Sequence, residues 1–191
     1  MLVYIKKLVV GEQIGTNCYI IGSDSSAECA VIDPGADADR IRNAAGSRRI
    51  TAILLTHGHF DHIGAVEGLI DADTKLYIHP LDAPMLADGY KNGSEMLTGV
   101  PVTINVKTEN IEEGSVLKLA GLELTVLHTP GHTRGSVCYR TGSALFSGDT
   151  MFENGWGRTD LFGGSEDAMM RSLRRLLPVR DVCTLYPGHD T

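Results

Sequence analysis

The sequence has few cysteines, and none of them form a CxxC motif of the kind that binds zinc or exchanges disulfides. Cys18, Cys29, Cys138 and Cys183 are the four cysteines among 191 residues, and long stretches of chain separate them. Three of the four lie in apolar runs, where a buried free thiol behaves as a small hydrophobic group. We therefore expect a reduced, intracellular protein rather than one held together by disulfides.

The sequence also lacks a basic stripe, a long apolar run and a secretion signal. Acidic residues outnumber basic ones by 24 to 17, and the basic residues are scattered apart from short clusters at 48–49 and 171–175. This distribution argues against nucleic acid as the main partner. The N-terminal residues do not follow the signal-peptide pattern, and the apolar runs are too short to span a bilayer. We predict a cytoplasmic protein that acts on a small-molecule substrate, without membrane or nucleic-acid partners; its oligomeric state is unknown from the sequence.

Short apolar runs alternate with turn residues along the whole sequence, which predicts a layered α/β fold with sheets inside and helices outside. The length favours one domain, residues 1–191. Strands are predicted at residues 2–10, 17–21, 28–32, 50–55, 75–79, 116–119, 122–127, 136–140, 144–146 and 182–185. Helices are predicted at residues 37–45, 63–70, 80–87 and 166–177. Residues 88–110 carry little pattern and are predicted to form a loop or lid.

A cluster of histidines directly after a predicted buried strand carries the most information about function. Residues 56–62 read Thr-His-Gly-His-Phe-Asp-His, so three of the seven histidines fall within six residues. The carboxyl end of a strand is where open sheets bind ligands, and imidazole with carboxylate suits zinc, iron or manganese. Alternation would point His57 and His59 to one side. Asp61 and His62 could then face a second metal.

Four residues from one loop cannot fill two coordination shells, so further ligands must come from elsewhere. His132, Asp149 and His189 each follow an apolar strand and a glycine turn. Each of them alone is a weak candidate, because turn residues of these types are common on protein surfaces. The same arrangement occurring three times makes the set a stronger indication of a shared site.

In their order and spacing these motifs resemble those of the metallo-β-lactamase superfamily, and within it the glyoxalase II (hydroxyacylglutathione hydrolase) branch. The resemblance extends over nearly the whole chain, including Asn17-Cys18-Tyr19 and Asp33-Pro34-Gly35. It implies a four-layer αββα sandwich with a pair of divalent metals at one edge, zinc in preference to iron or manganese. It also implies that Asp61 and Asp149 are catalytic as well as ligating residues.

The resemblance further implies which residues hold each metal. The first metal would be held by His57, His59 and His132. The second would be held by Asp61, His62 and His189, with Asp149 bridging the two.

Two further expectations concern the surroundings of this site. Residues 157–160 read Gly-Arg-Thr-Asp, a motif similar to one in the glyoxalase II-like and persulfide dioxygenase-like branches, and we expect Arg158 to orient a carboxylate ligand. Longer glyoxalase II enzymes carry a C-terminal helical domain that helps to bind glutathione. Because His189 lies two residues before the last residue given, Thr191, we expect that domain to be absent and His189 to be weakly held. Short relatives are expected to continue somewhat further, and the sequence leaves open whether the natural chain extends past Thr191.

The implied reaction is hydrolysis by metal-bound hydroxide, since bound zinc lowers the pKa of its water to ~7. A thiol leaves easily as thiolate, which favours a thioesterase acting on S-acyl-glutathione-type substrates. No GxSxG motif is present to indicate a serine nucleophile.

Several alternatives remain open from the sequence. A persulfide dioxygenase-like enzyme would use a single iron held by His57, His132 and Asp149. Lactonase or phosphodiesterase activity could occur on the same scaffold. A metal-binding sensor without catalysis is a further alternative.

Overall fold

The computed structural model describes residues 3–190. Within this range the first sheet has six strands, in a spatial order that follows the sequence: β1 (Val3–Val10), β2 (Thr16–Ser23), β3 (Glu28–Ile32), β4 (Arg49–Leu54), β5 (Lys75–Ile78) and β6 (Thr108–Asn110). The first three strands are antiparallel to one another, and β3 to β6 are parallel. The nearly continuous apolar run of β4 is explained by its central place in this sheet, where both faces are covered.

The second sheet has five strands within the described residues, in the order β11-β10-β9-β8-β7. They are β7 (Val116–Leu119), β8 (Leu122–His128), β9 (Val137–Thr141), β10 (Ala144–Gly148) and β11 (Thr184–Pro187). Neighbours are antiparallel except β10 and β11, which are parallel. Consequently β8, β10 and β11 run in the same direction, and their carboxyl ends lie at one edge.

Helices lie on the outer faces of both sheets. They are α1 (Ala38–Ala45), α2 (Phe60–Ile63), α3 (Val66–Leu69), α4 (Ser94–Thr98) and α5 (Glu166–Arg180). Ile41 of α1 packs on the first sheet, and Leu176 of α5 packs on Cys138 and Leu145 of the second. Within residues 3–190, none of these helices has both the length and the apolar character needed to cross a bilayer.

A continuous apolar core fills the space between the two sheets. It contains Leu54 from the first sheet and Val126 and Phe146 from the second, all of them buried. Helix, sheet, sheet and helix are therefore stacked in that order. The predicted four-layer αββα sandwich is confirmed.

Most predicted strands are present with ends shifted by a few residues; the predicted start at Leu2 lies outside the described residues. The predicted helix at 80–87 is wrong, because only a short 3₁₀ turn, Ala83–Met85, forms there. Hydrogen bonds from Asp82 to His79 and from Met85 to Asp82 span three residues instead of four, which gives the tighter turn. The predicted loop at 88–110 contains α4 and β6.

All four cysteines lie within the described residues as free thiols, as the sequence predicts. Cys18, Cys29 and Cys138 are fully buried, whereas Cys183 is partly exposed. Burial raises the pKa of Cys29 and of Cys138 to about 11 and also raises the pKa of Cys18. These three thiols are therefore both inaccessible and un-ionised at neutral pH.

We predict that dithionitrobenzoate at a pH of about 8 reacts rapidly with one of the four thiols of the folded protein, Cys183. All four should react after unfolding in guanidinium. The Cys183→Ser variant should lose the rapid phase and leave the others slow. Rapid reaction of a second thiol in the folded protein would contradict the buried positions.

Candidate metal centre

The predicted site residues meet where the carboxyl ends of strands from both sheets come together. The 57–62 segment follows β4, and His132 lies in the turn after β8. Asp149 directly follows β10, and His189 follows β11. Because these strands end at the same edge of the sandwich, residues far apart in sequence form one cluster.

Three imidazoles form what we call the first trio: His57, His59 and His132. All three are buried, and their facing nitrogens lie within 4.8 Å of one another. His59 Nδ1 is 2.8 Å from His132 Nε2, which is in turn 3.2 Å from His57 Nε2. The trio therefore aims three nitrogen lone pairs at a common point.

Asp61, His62 and His189 form the second trio. His62 Nε2 lies 3.3 Å from His189 Nε2 and 3.5 Å from Asp61 Oδ2. His189 Nε2 lies 3.3 Å from the same carboxylate oxygen. This set combines two nitrogen atoms with one carboxylate oxygen and is a second position suited to a metal.

Asp149 lies between the two trios. Its Oδ2 is 3.6 Å from His132 Nε2 and 3.4 Å from His189 Nε2, while Oδ1 is 3.4 Å from His62 Nε2. Oδ1 is buried and has no hydrogen-bond partner among residues 3–190. A buried carboxylate oxygen in this state is expected to have a cation as its partner.

Hydrogen bonds on the outer side of the first trio determine which nitrogens carry protons. Thr56 Oγ1 donates to Asp33 Oδ2 at 2.6 Å, so it accepts from His57 Nδ1, 3.1 Å away. His132 Nδ1 donates to the Arg158 carbonyl at 2.7 Å. In both rings the proton lies on Nδ1, and Nε2 is left unprotonated towards the centre of the site.

The second trio is held in the same way. His62 Nδ1 lies 3.0 Å from Asp33 Oδ2, and His189 Nδ1 lies 3.3 Å from the Gly15 carbonyl. The Gly15 carbonyl accepts from His189 Nδ1, the Asp33 carboxylate attracts the His62 ring as an ion-pair partner, and the Nε2 atoms of both rings face the inside of the site. When the inward nitrogens are unprotonated, they and the ionised carboxylates repel one another unless a cation lies between them. This donor set therefore fits a pair of divalent metals.

Burial and neighbouring charges produce opposite pKa shifts in the two trios. Burial lowers the pKa of His59 to about 3 and holds the pKa of His57 well below its ordinary value, so these imidazoles are neutral. Burial opposes protonation of His62 and His189, but the carboxylates around them raise their pKa to about 9 and about 10. The second trio therefore attracts positive charge, either protons or a metal cation, and binding of a metal would displace the protons.

The carboxylates of the site stay ionised. Burial alone would raise the pKa of Asp149, but His62 and its neighbouring imidazoles outweigh burial and lower the pKa to about 2. The pKa of Asp61 is likewise lowered by His62 and His189 against the effect of burial. Neutral imidazole and ionised carboxylate are the forms that bind metal.

His189 is firmly held, contrary to the expectation that its place near Thr191 would loosen it. The Asn17 amide nitrogen donates to the Pro187 carbonyl at 3.1 Å and to Asp190 Oδ1 at 2.9 Å. The Tyr19 hydroxyl donates to the same Pro187 carbonyl at 2.7 Å. Strand β2 therefore fixes the segment that carries His189.

The structure assigns a different contact to Arg158 from the one predicted. Its guanidinium pairs with Asp160 at 2.7 and 2.8 Å and contacts none of the proposed carboxylate ligands. The backbone carbonyl of Arg158 contacts the site instead, because it accepts from His132. The prediction that Arg158 lies beside the site is therefore right, but the atom that contacts a proposed ligand is its carbonyl oxygen and not its guanidinium.

Asp33 contacts the site, although the sequence indicated it only within Asp33-Pro34-Gly35, a segment that contributes to the resemblance, and gave it no role. It is buried, and its carboxylate accepts from the Thr56 amide and hydroxyl and lies beside His62. It thus contacts the residues before and within the histidine segment. The signal was present, because β3 and β4 are parallel neighbours and Asp33 follows β3 directly.

An open cleft of about 310 Å³ leads to both trios. Its polar lining comprises His59, Asp61, Asn92, His132, Asp149, Arg158 and His189. Its apolar lining comprises Ile14, Phe60, Leu97, Phe152 and Leu161. A small molecule with an apolar part can therefore reach the metal-binding groups.

Comparison with known proteins identifies relatives along nearly the full chain. The chain is 37% identical over 190 residues to a protein of Bacillus subtilis (strain 168) named "Probable metallo-hydrolase YqgX", covering 96% of this chain and 89% of the relative. Among solved structures, the BLEG-1 B3 metallo-β-lactamase is 36% identical with a TM-score of 0.90, covering 98% of this chain and 92% of that one.

A second solved structure, TTHA1623 in a di-iron-bound form, is 33% identical with a TM-score of 0.82, covering 97% of this chain and 92% of that one. The family model described as the metallo-beta-lactamase superfamily matches residues 11–189. That match contains both trios and Asp149. The chain therefore belongs to the metallo-β-lactamase superfamily.

Proposed function

We propose that this metal-dependent hydrolase cleaves small thioesters of the S-acyl-glutathione type. In this proposal the first trio and the second trio each hold one divalent metal, and Asp149 contributes to both. Zinc is the proposed metal, with iron as the alternative that the di-iron relative supports. The proposal for the substrate depends on one observation, the composition of the cleft.

The cleft offers no proton donor apart from the proposed metal ligands. Among its described lining residues, the others are glycine, apolar side chains, Asn92 and Arg158. An amide is not an acid, and a guanidinium keeps its proton at any ordinary pH. The leaving group must therefore depart without a general acid. A thiol, with a pKa near ~8.5, does this far more readily than an alcohol or an amine.

The remaining groups of the cleft have complementary roles. When bound, the two metals lower the pKa of a water to ~7 and polarise the substrate carbonyl. Asp61 and Asp149 stay ionised and balance the positive charge of the site. Phe60, Leu97 and Phe152 provide an apolar surface for the acyl group. Arg158 at the cleft can bind a substrate carboxylate in place of Asp160.

Cleavage of β-lactams is a second candidate, and one observation favours it: the TM-score of 0.90 to a B3 metallo-β-lactamase. The leaving group in that reaction is an amide nitrogen, which needs a proton. Because the cleft supplies no donor outside the proposed ligands, we rank thioesters first. Lactones and phosphodiesters have alkoxide leaving groups, so we rank them below thioesters as substrates for the same reason.

A persulfide dioxygenase needs one iron held by His57, His132 and Asp149. That assignment leaves Asp61, His62 and His189 without a role, although their ligand atoms lie within 4.8 Å of one another, as those of the first trio do. Two complete ligand sets favour two metals and a hydrolase.

We predict that S-lactoylglutathione is hydrolysed with a kcat/KM at least about 100-fold above that of the oxygen ester with the same acyl group. The physical reason is that the cleft has no general acid outside the proposed ligands, and an alkoxide leaving group needs one whereas a thiolate does not. The measurement is steady-state kinetics with protein loaded with zinc, iron or manganese.

A β-lactam, a lactone and an activated phosphodiester complete this comparison. Equal rates for thioester and oxygen ester, or a clear preference for the β-lactam, would overturn the proposed substrate class. Oxygen uptake with glutathione persulfide by protein holding a single iron would support the dioxygenase instead.

We predict that His59→Ala removes one of the two metals and nearly all hydrolytic activity, because the first trio loses a ligand. Elemental analysis of the purified variant gives the metal content. The matched control is His79→Ala, a histidine that stacks on His128 outside both trios and should leave the metal content unchanged. Wild-type metal content in His59→Ala would refute the ligand assignment.

We predict that Asn17→Ala weakens binding of the second metal about 10-fold or more, because the segment carrying His189 loses two hydrogen bonds. Titration with zinc against a chelator measures this change. The matched control is Lys7→Met, which removes only an exposed ion pair with Asp190 and should change affinity little. Similar losses in both variants would show that Asn17 has no special role.

A further inference from the structure

Asp82 is a buried carboxylate that belongs to neither trio. It lies between β5 and the 3₁₀ turn Ala83–Met85, and its exposed fraction is 0%. Among residues 3–190, no lysine or arginine forms an ion pair with it. A buried carboxylate without a cationic partner is costly, so its other interactions must compensate.

The hydrogen bonds of the Asp82 side chain all come from two loops distant in sequence. Oδ2 accepts from the Gly58 amide at 3.1 Å and from the Thr133 hydroxyl at 2.6 Å. Oδ1 accepts from the Gly135 amide at 2.7 Å. One carboxylate therefore fastens the loop after β4 to the loop after β8.

These two loops supply every member of the first trio. Gly58 lies between His57 and His59, and Thr133 follows His132 directly. The approach is close, because a Cβ atom on Gly135 would lie 2.7 Å from Asp82 Oδ1. The distance between the loops is thus fixed at the residues adjacent to the three imidazoles.

The second trio does not depend on these contacts. His62 is oriented by Asp33, and His189 by the Gly15 carbonyl and the contacts of Asn17. None of the hydrogen bonds of Asp82 that the structure shows reaches Asp33 or Asn17. Asp82 therefore supports the first trio alone, whereas Asp33 contacts His62 and also Thr56, the hydrogen-bond partner of His57.

We propose that Asp82 is a positioning residue that sets the geometry of the first trio and thereby the affinity for the first metal, without acting on the second. The proposal rests on the ligand assignment given above. The negative charge of Asp82 near the first trio also favours a cation there, and this attraction compensates for the burial of the carboxylate. The thioester specificity plays no part in it.

The test uses Asp82→Asn, which keeps the size of the side chain but replaces one acceptor oxygen by a donor nitrogen. The variant is combined with His189→Ala, so that only the first metal site remains, and separately with His59→Ala, so that only the second remains. We expect the affinity for Zn²⁺ to fall about 10- to 100-fold in the first background and to stay within about 3-fold in the second. Titration against a chelating dye needs no substrate.

A control separates positioning from general stability. Ile41→Val alters the buried core under α1 and should lower the melting temperature without changing either Zn²⁺ affinity. If Asp82→Asn lowers the melting temperature but leaves the affinity of the first site for Zn²⁺ unchanged, the proposal is wrong. Equal losses at both sites would overturn it as well.

Thr133 provides a second test should Asp82→Asn fail to fold. Thr133→Val removes the hydroxyl that Asp82 accepts from, whereas Thr133→Ser retains it. We expect weakened Zn²⁺ binding at the first site in Thr133→Val and near-normal binding in Thr133→Ser. Equal behaviour of the two variants would contradict the proposal. Because Zn²⁺ affinity is the readout, inactivity towards thioesters would refute the proposed substrate and leave this inference intact.

Discussion

The orientation of the imidazoles is the constraint on which the rest of the site depends. A histidine can bind metal through one nitrogen only when its proton is held on the other. His57 and His132 donate from Nδ1 to the Thr56 hydroxyl and the Arg158 carbonyl. The Asp33 carboxylate lies 3.0 Å from His62 Nδ1. The metal-binding character of the cluster is therefore built from the groups around it, two neutral acceptors and one carboxylate, as much as from the ligands themselves.

Burial and the neighbouring carboxylates determine how charge is distributed within the cluster. Burial keeps His57 and His59 neutral, whereas carboxylates around His62 and His189 favour positive charge at those rings. Asp149 lies between the two environments and stays ionised. The site thus has a neutral, nitrogen-rich half and an acidic half, and the cleft above both exposes them to a small substrate. Our proposal of hydrolysis without a separate general acid rests on that composition.

Hydrophobic periodicity and turn residues are local properties, and they were sufficient to predict a layered α/β fold. The four-layer αββα arrangement was predicted from the resemblance to the metallo-β-lactamase superfamily. It also identified every member of the two trios, since ligand-capable residues after strand ends are visible as motifs. The failures concern segments whose structure depends on distant contacts. Residues 80–87 carry a proline start that is typical of a helix, yet Asp82 bonds to loops more than twenty residues away and only a 3₁₀ turn forms.

The sequence by itself determined the types of residue available for chemistry, the strands that precede them and the family they resemble. Only the tertiary structure decided which atoms face one another: that Arg158 acts through its carbonyl, that Asp33 holds His62, and that His189 is secured by β2. The physical reason is that hydrogen-bond partners are selected by positions in space. Residues such as Asn17 and Pro187 become neighbours only when the two sheets have packed.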